Sequence, residues 1–287
     1  MYLTHIIHDF DFDLETYYDE TLHTLEFKRS GVRIWPPLFG RKITFNSNQG
    51  RDVYLLENKT PLTRESYTFV VGNVVAFTWK RGEKVIRYKA LRFASARLIR
   101  YWLLHTLLPL YYSFEEIYKM LHVGSVEVHG KACLFAAPSF GGKSTLTHYF
   151  LQKGHRLLSD DTLAFYRKGH QHYAVSSYPF SRSYRNIEDL GDRVKNFVTR
   201  PIPIERIYRL IQIDPCGEIS IRALSGVEKF SVIEMCRDIK IPEMDSERLA
   251  EWIDFTQKIP VFEITIPQDK KRLEEVYRAI IDAVENH

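Results

Sequence analysis

Cysteine is scarce in this chain, and its few positions form no pattern. The 287 residues include three cysteines, Cys133, Cys216 and Cys236. An odd number without Cys-x-x-Cys or Cys/His spacing indicates neither a disulfide framework nor a zinc site. Cys133 falls in an apolar run and is predicted to be a small core residue. The scarcity of cysteine favours a reducing, cytoplasmic setting.

Long hydrophobic runs are also missing. The longest uncharged stretch, 101–114, is shorter than the ~18–20 residues that a spanning helix needs, and it contains Pro109. The first residues lack the basic and apolar regions of a signal peptide. We therefore expect no membrane partner and a cytoplasmic location.

No strong excess of either charge exists. The chain has 40 Lys and Arg against 36 Asp and Glu, for a formal net charge of +4. This small excess suits an anionic ligand but does not predict a nucleic-acid partner. With 45% hydrophobic residues, the chain is long enough for a large core and for two domains.

The patterns predict an N-terminal β-rich domain, 1–110, and a second domain, 111–287. Turn signals at 70–75 and 80–84 predict adjacent antiparallel strands in the first domain. A helix is predicted over 91–108 and is expected to break at Pro109. The acidic residues near the N-terminus predict an exposed edge strand or arm: Asp9, Asp11, Asp13, Glu15, Asp19 and Glu20.

The second domain is predicted to begin with a short helix over 114–121, because Ser113 and Glu116 have capping-box spacing. Apolar runs and turn residues then predict an alternation of strands and helices. The predicted strands are 126–129, 132–136, 156–159, 162–166, 172–176, 204–213 and 261–266. The predicted helices are one that Gly154 ends, and 231–236, 247–257 and 270–284. A loop rich in arginine is predicted over 178–200.

The strongest motif is Ala-Pro-Ser-Phe-Gly-Gly-Lys-Ser-Thr at 137–145, which follows a buried strand and opens a helix. Backbone N–H groups in such a loop point at anionic oxygens, and the helix N-terminus favours negative charge. Lys143 would bind the β- and γ-phosphates of a nucleotide, and the Ser144 hydroxyl would bind Mg²⁺. The predicted nucleotide-binding residues are Ser139, Phe140, Gly141, Gly142, Lys143, Ser144 and Thr145.

An acidic pair, Asp160 and Asp161, follows the next apolar strand, 17 and 18 residues after Lys143. Ligands of open α/β sheets lie beyond the carboxyl ends of the strands. A carboxylate there can hold Mg²⁺ or accept a proton from an attacking hydroxyl. In an extended backbone the two side chains would point to opposite faces, so only one would face the phosphates directly.

The stretch 122–161 resembles the catalytic core of the HPr kinase/phosphorylase family. That family has a His, a Gly eight residues later, an apolar strand, G-x-S-x-x-G-K-S and then G-H-R-L-x-x-D-D. This chain has His122, Gly130, Ser139, Gly142-Lys143-Ser144 and, at 154–161, Gly-His-Arg-Leu-Leu-Ser-Asp-Asp. The patterns align without a gap over about 40 residues.

The resemblance implies an α/β fold: a phosphoenolpyruvate-carboxykinase-like P-loop kinase core with a mixed sheet, preceded here by the smaller β-rich domain. It implies ATP and Mg²⁺ as cofactors. Lys143 would bind nucleotide phosphate, and Asp160 would be the general base. Asp161 would support that base or join Ser144 on the metal. His122 would help to position the phosphoryl group; the alternative, a hydrogen-bonded interior histidine, stays open.

The chain departs from the family pattern at several positions. Ala137 and Phe140 stand where glycine is usual, and Thr145 stands where HPr kinases proper often carry Glu. Ser-Arg-Ser-Tyr-Arg at 181–185 occupies the region of a glycine-rich signature. These differences separate the chain from HPr kinases proper.

Related kinases of this branch phosphorylate the C-terminal serine of lasso-peptide precursors. The resemblance therefore implies a kinase that acts on a serine hydroxyl of a peptide or protein, and it implies a homo-oligomer. Arg182 and Arg185 are candidates for binding phosphate or a C-terminal carboxylate. Two other functions stay open: a small-molecule kinase, and a non-catalytic nucleotide-binding module that switches a partner.

Overall fold

A computed structural model describes residues 2–14, 22–31, 41–45, 51–60, 63–182, 188–239 and 242–286. The chain divides into two compact units. The first holds Leu3–Ile117 and Arg185–Leu190; the second holds Tyr118–Tyr184 and Gly191–His287, together with Tyr2. Arg185 and part of the predicted acidic arm, Glu15, Asp19 and Glu20, lie outside the described residues.

The first unit is built on a seven-stranded sheet. Its strands are β1 Thr4–His8, β2 His23–Arg29, β3 Arg41–Phe45, β4 Val53–Thr60, β5 Thr63–Val71, β6 Val75–Lys80 and β7 Val85–Ala90. The strand order is β1-β2-β7-β6-β5-β4-β3. Both predicted turns lie between antiparallel neighbours, β5–β6 and β6–β7. The β1 strand forms one edge of the sheet, and Asp9, just after it, accepts the backbone N–H of Arg29 at 2.8 Å.

The helical segment after this sheet differs from the prediction in both its start and its end. It begins at Ala96, since the Ser95 side chain accepts the Leu98 N–H and caps it. The segment runs as α1 Ala96–Trp102, a π-helical turn Leu103–Leu107 and α2 Leu108–Phe114. The predicted break at Pro109 is wrong, because this proline stands in the first turn of α2, where a missing N–H costs least.

The second unit combines a mixed sheet with helices that enter the chain after β10, after β17 and after β18. Its strands are β8 Lys119–His122, β9 Gly124–Val128, β10 Lys131–Ala136, β11 Arg156–Ser159, β12 Thr162–Lys168, β13 Gln171–Val175, β14 Phe180–Ser181, β15 Asp192–Arg193, β16 Ile202–Ile213, β17 Ile221–Ala223 and β18 Val261–Pro267. Its helices are α3 Lys143–Gln152, α4 Gly226–Cys236, α5 Pro242–Lys258, a 3₁₀ turn Lys270–Arg272 and α6 Leu273–Glu285.

The main sheet runs β11-β9-β10-β16-β13-β12-β8, and β18 pairs with β16 and β17. The β10, β16 and β18 strands are parallel to one another. Both β10 and β11 pair antiparallel with β9, so they run in the same direction. The carboxyl ends of β10, β11, β16 and β18 therefore meet at one edge of the sheet, as the sequence predicts for ligand-binding strands.

Alternate residues of β10 enter two different cores. Leu134 packs in a cluster with residues of α4 and α5, including Phe255. Phe135 packs in another with residues of α3 and α6, including Phe150. The prediction of a strand buried on both faces is confirmed. Cys133 is fully buried, as predicted for a core residue, and burial raises the pKa of its thiol to about 12.

The predicted helix over 114–121 is wrong: the chain leaves α2 after Phe114 and enters β8. Antiparallel pairing of β8 with β12 decides this, because strand pairing and burial outweigh a local capping signal. The other strands and helices predicted for the second unit are confirmed in kind, with bounds that shift by a few residues. None of the helices in the part of the chain that the structure describes combines the length and apolar character needed to cross a membrane.

Candidate functional site

The loop between β10 and α3 has the backbone shape that its glycines allow. Gly142 caps α3 with φ at 92°, a left-handed conformation that side chains disfavour. A Cβ on Gly141 would lie 2.6 Å from the Ala137 Cβ, so a larger residue there would displace the loop. The two glycines together turn the chain from a buried strand into a helix whose first N–H groups are open to an anion.

Lys143, the first residue of α3, is folded back over this loop. Its side chain is buried, and the ammonium donates to the Ala137 carbonyl at 2.6 Å and to the Pro138 carbonyl at 3.2 Å. A positive charge is thereby held over the loop, next to the helix N-terminus. That arrangement provides both a cation and backbone donors for an anionic ligand.

Asp160 lies at the carboxyl end of β11 and is only 7% exposed. Its Oδ2 accepts the Arg182 N–H at 2.8 Å and the Ser181 hydroxyl at 3.1 Å. Its Oδ1 is buried and has no hydrogen-bond partner among the described residues. Burial raises the pKa of this carboxyl; the bonds from Arg182 and Ser181 oppose the rise, and the nearby hydroxyl of Ser144 opposes it to a smaller extent. The Ser144 hydroxyl of the loop is therefore close to Asp160.

Asp161 faces a different set of groups. Its Oδ2 lies 2.9 Å from the Arg182 guanidinium, and its Oδ1 lies 3.5 Å from Nδ1 of His122. His122 ends β8 and pairs with Thr162, which brings it beside the acidic pair. The side chain of His122 is about one third exposed, so it is not a fully interior histidine.

Serine residues that the sequence reasoning missed shape the turn at the acidic pair. Ser159 donates to the Thr162 carbonyl at 2.8 Å and accepts the Asp161 N–H at 3.2 Å and the Ser177 hydroxyl at 3.0 Å. Ser181 binds Asp160 directly. The sequence signal that could have identified Ser181 as a site residue is its position next to Arg182. Nothing in the local sequence indicates that this segment returns to the end of β11.

His155 and Arg156, at the start of β11, make contacts that hold the strand in place. His155 bonds the Glu127 carbonyl at 3.0 Å and the Tyr277 hydroxyl at 3.1 Å. Arg156 pairs with the Glu127 carboxylate at 3.2 Å and donates to the Phe197 carbonyl at 2.9 Å. These contacts fix β11 against β9 and α6, and so position the acidic pair at its end.

The predicted site residues thus fall into groups. One group lies around the loop and the end of β11: Lys143, Ser144, Asp160, Asp161, His122 and Arg182. Ser139 and Phe140 are exposed on the loop, and Thr145 is exposed on the first turn of α3. Arg185 lies outside the described residues.

The oxygen ligands of Ser144, Asp160 and Asp161 fit a metal ion that is bound partly by the protein and partly by a phosphate-bearing ligand. Within the described ranges, no group of three or more His, Cys, Asp and Glu side chains is placed to enclose an ion. Mg²⁺ is usually bound by one or two carboxylates together with substrate phosphates and waters. Ser144 beside Asp160, with Asp161 next to it, is compatible with that mode.

The fold and the geometry define a class: an α/β unit in which a glycine-containing loop between a strand and a helix lies beside a buried carboxylate. No protein-family model matches the chain. The chain is 29% identical over 121 residues to the HPr kinase/phosphorylase of Chloroherpeton thalassium, a match that covers 40% of this chain and 35% of that protein. The chain thus spans about a third of the length of the curated relative it matches. This similarity confirms the resemblance predicted from the sequence.

A search of solved structures found the HPr(Ser) kinase/phosphatase from Coxiella burnetii. The sequence identity is 16%, and the TM-score is 0.33. The match covers 59% of this chain and 95% of that one.

Proposed function

We propose that this protein is a kinase that uses ATP and Mg²⁺ to phosphorylate a serine hydroxyl. One observation carries the proposal: Asp160, a buried carboxylate with an unpartnered Oδ1, lies beside Ser144 of the loop. A module that only binds nucleotide has no need for a carboxylate oxygen held bare of hydrogen bonds. The similarity to an HPr kinase/phosphorylase supports the same class of reaction.

In the proposed reaction, the loop N–H groups and Lys143 bind the β- and γ-phosphates. Asp160 accepts the proton of the serine hydroxyl as its oxygen attacks the γ-phosphorus. The bond from that phosphorus to the β,γ-bridging oxygen breaks, and ADP leaves. Bound Mg²⁺, held by Ser144 and Asp161, would neutralise charge on the phosphates. His122 and Arg182 would orient Asp161.

We further propose that the acceptor is a peptide or protein, with the C-terminal serine of a lasso-peptide precursor as the specific candidate. The support is the resemblance and the presence of Arg182 beside the acidic pair, where a guanidinium can bind a carboxylate or a phosphate. The proposal also includes a cytoplasmic location and a homo-oligomeric state, both implied by the resemblance.

Nucleotide binding is tested with Lys143→Ala in calorimetry with Mg-ATP. Loss of the ammonium should weaken binding about 10- to 100-fold, as expected for a hydrogen bond to a charged group. Lys168→Ala is the matched control, because Lys168 is exposed at the end of β12. Unchanged affinity in Lys143→Ala would remove the loop from the nucleotide site.

Phosphoryl transfer is tested by mass spectrometry on synthetic peptides that end in serine, incubated with Mg-ATP. Asp160→Asn should bind ATP normally and lose transfer, whereas Asp52→Asn, at an exposed position, should keep it. Peptides that end in alanine control for the acceptor. Transfer by Asp160→Asn at the wild-type rate would assign the base elsewhere, with Asp161 next in line.

A further inference from the structure

Phe140 combines two features that are unusual together. Its side chain is 81% exposed although it is large and aromatic, and its φ is 65°. A left-handed backbone is costly for a bulky residue, and such positions cluster at functional sites. Glycine would fit this backbone without strain and would expose no apolar surface. The ring itself therefore needs a physical reason to be there.

Two glutamines support the loop at this residue. Gln212, at the carboxyl end of β16, donates its Nε2–H to the Phe140 carbonyl at 3.3 Å. Gln268, just after β18, donates to the Oε1 of Gln212 at 3.3 Å. The second bond orients the amide of Gln212 with its nitrogen toward the loop. The backbone of Phe140 is thus supported from two strand ends while its ring faces solvent.

The sheet order places this support on one side of the loop and the acidic pair on the other. The order is β11-β9-β10-β16, so Asp160 follows the strand on one side of β10 and Gln212 ends the strand on the other. If the terminal phosphate of a nucleoside triphosphate lies near Asp160, the rest of the nucleotide extends away from the β11 side of the loop. The base is at the opposite end of the nucleotide from that phosphate. The base then lies on the side of Gln212 and Phe140.

We propose that Phe140 is the platform on which the base of the bound nucleotide stacks, and that Gln212 and Gln268 are positioning residues for it. The proposal rests on the nucleotide-dependent function proposed above and adds how the donor is recognised. Every base has a π-face, so stacking on a phenyl ring discriminates little between adenine and guanine. We therefore expect ATP and GTP to bind with affinities within about tenfold of each other.

Calorimetry with Mg-ATP and with magnesium tripolyphosphate, which lacks a base, distinguishes the contribution of the Phe140 ring to binding from that of the loop. Phe140→Ala and Phe140→Leu should weaken ATP binding about 5- to 100-fold, since neither offers a π-face, and should leave tripolyphosphate binding within about twofold. Gln212→Ala should weaken ATP binding to a smaller extent. Val227→Ala is the matched control, because Val227 is 82% exposed on α4, and it should change neither affinity. Phe140→Trp should show quenched emission with ATP and not with tripolyphosphate.

Unchanged ATP affinity in Phe140→Ala would overturn the stacking role. An equal loss of affinity for ATP and for tripolyphosphate would also overturn it, and would make Phe140 a determinant of the shape of the loop. Normal ATP affinity together with a raised KM for the acceptor peptide would also overturn the stacking role, and would place the ring at the acceptor. If the wild-type protein binds neither ATP nor tripolyphosphate, the proposed function itself fails. Thermal unfolding of each variant checks that it is folded, and the ring's exposure leads us to expect wild-type stability.

Discussion

Arg182 holds Asp161 through an ion pair of 2.9 Å, and the backbone N–H of the same residue binds Asp160. One residue thereby bonds both members of the acidic pair. Its segment follows β14 and reaches them from more than 20 positions along the chain. The arrangement offsets the charge of two adjacent carboxylates that would otherwise repel each other.

Arg182→Ala should destabilise the protein by about 1–3 kcal/mol, because it removes a cation that lies 2.9 Å from a mostly buried carboxylate. Both side chains of the pair are less than one fifth exposed. Arg167→Ala is the matched control. Its pair with Asp254 at 3.2 Å is more exposed, and its loss should cost under about 1 kcal/mol. Urea unfolding measures both losses, and equal values would mean that the Arg182 pair contributes no more than a surface pair.

Asp160→Asn should have an effect on stability that depends on pH. Burial raises the folded-state pKa of Asp160 above its ordinary 3.8, so the folded protein keeps the proton to a higher pH than the unfolded chain does. The stability that the carboxyl contributes is therefore present below about pH 3.8 and is lost as the pH rises through the raised pKa.

Asparagine can still accept the Ser181 and Arg182 bonds but never becomes charged. Asp160→Asn should thus gain stability relative to the wild type at about pH 7, and this gain should shrink toward about pH 4. Chemical unfolding at the two pH values measures the gain, with Asp52→Asn as an exposed control. A gain that grows on acidification would show that the folded-state pKa is lowered instead.

Gly124→Ala should push β9 away from α3. A Cβ at this glycine would lie 2.2 Å from the Oγ1 of Thr147 on α3. That hydroxyl is buried and finds no hydrogen-bond partner among the described residues. We expect Gly124→Ala to cost about 1–3 kcal/mol through overpacking, and Thr147→Ala alone to cost less than about 1 kcal/mol.

The double variant should recover most of the loss of Gly124→Ala, because the small side chains then fit together. A double-mutant cycle of unfolding free energies measures this coupling. Losses that simply add would show that the strain of Gly124→Ala lies elsewhere. Calorimetry with Mg-ATP on the same variants reports whether the position of α3 matters for the loop.

Much of the second unit could be predicted from local patterns. The strand, loop, helix and strand from β10 to β11 follow from an apolar run, paired glycines and a helical spacing of Leu146 and Phe150. The helix ends at Gln152 with Lys153 as its C-cap, and Gly154 follows with φ at 93°. Each of these signals acts between neighbours in the chain, so the sequence is sufficient to predict it.

Two errors of the prediction have different physical causes. Ser113 and Glu116 have capping-box spacing, yet the segment beyond them pairs with β12 as a strand. Pro109 suggested a break, yet the π-helical turn before it lets the helical segment continue. The first outcome depends on pairing with β12, far along the chain, which propensity does not contain. The second is local, because Pro109 stands in the first turn of α2.

By itself, the sequence determined the loop with Lys143 and Ser144, the strand that leads into Asp160, and their order, since backbone conformation there follows from adjacent residues. The tertiary structure decided that Arg182 covers the acidic pair and that Asp160 keeps one bare oxygen. It also placed Gln212 under Phe140. Those relationships join residues more than 20 positions apart. The strand order of the main sheet brings Gln212 to the loop, and the segment after β14, which lies outside that sheet, brings Arg182 to the acidic pair.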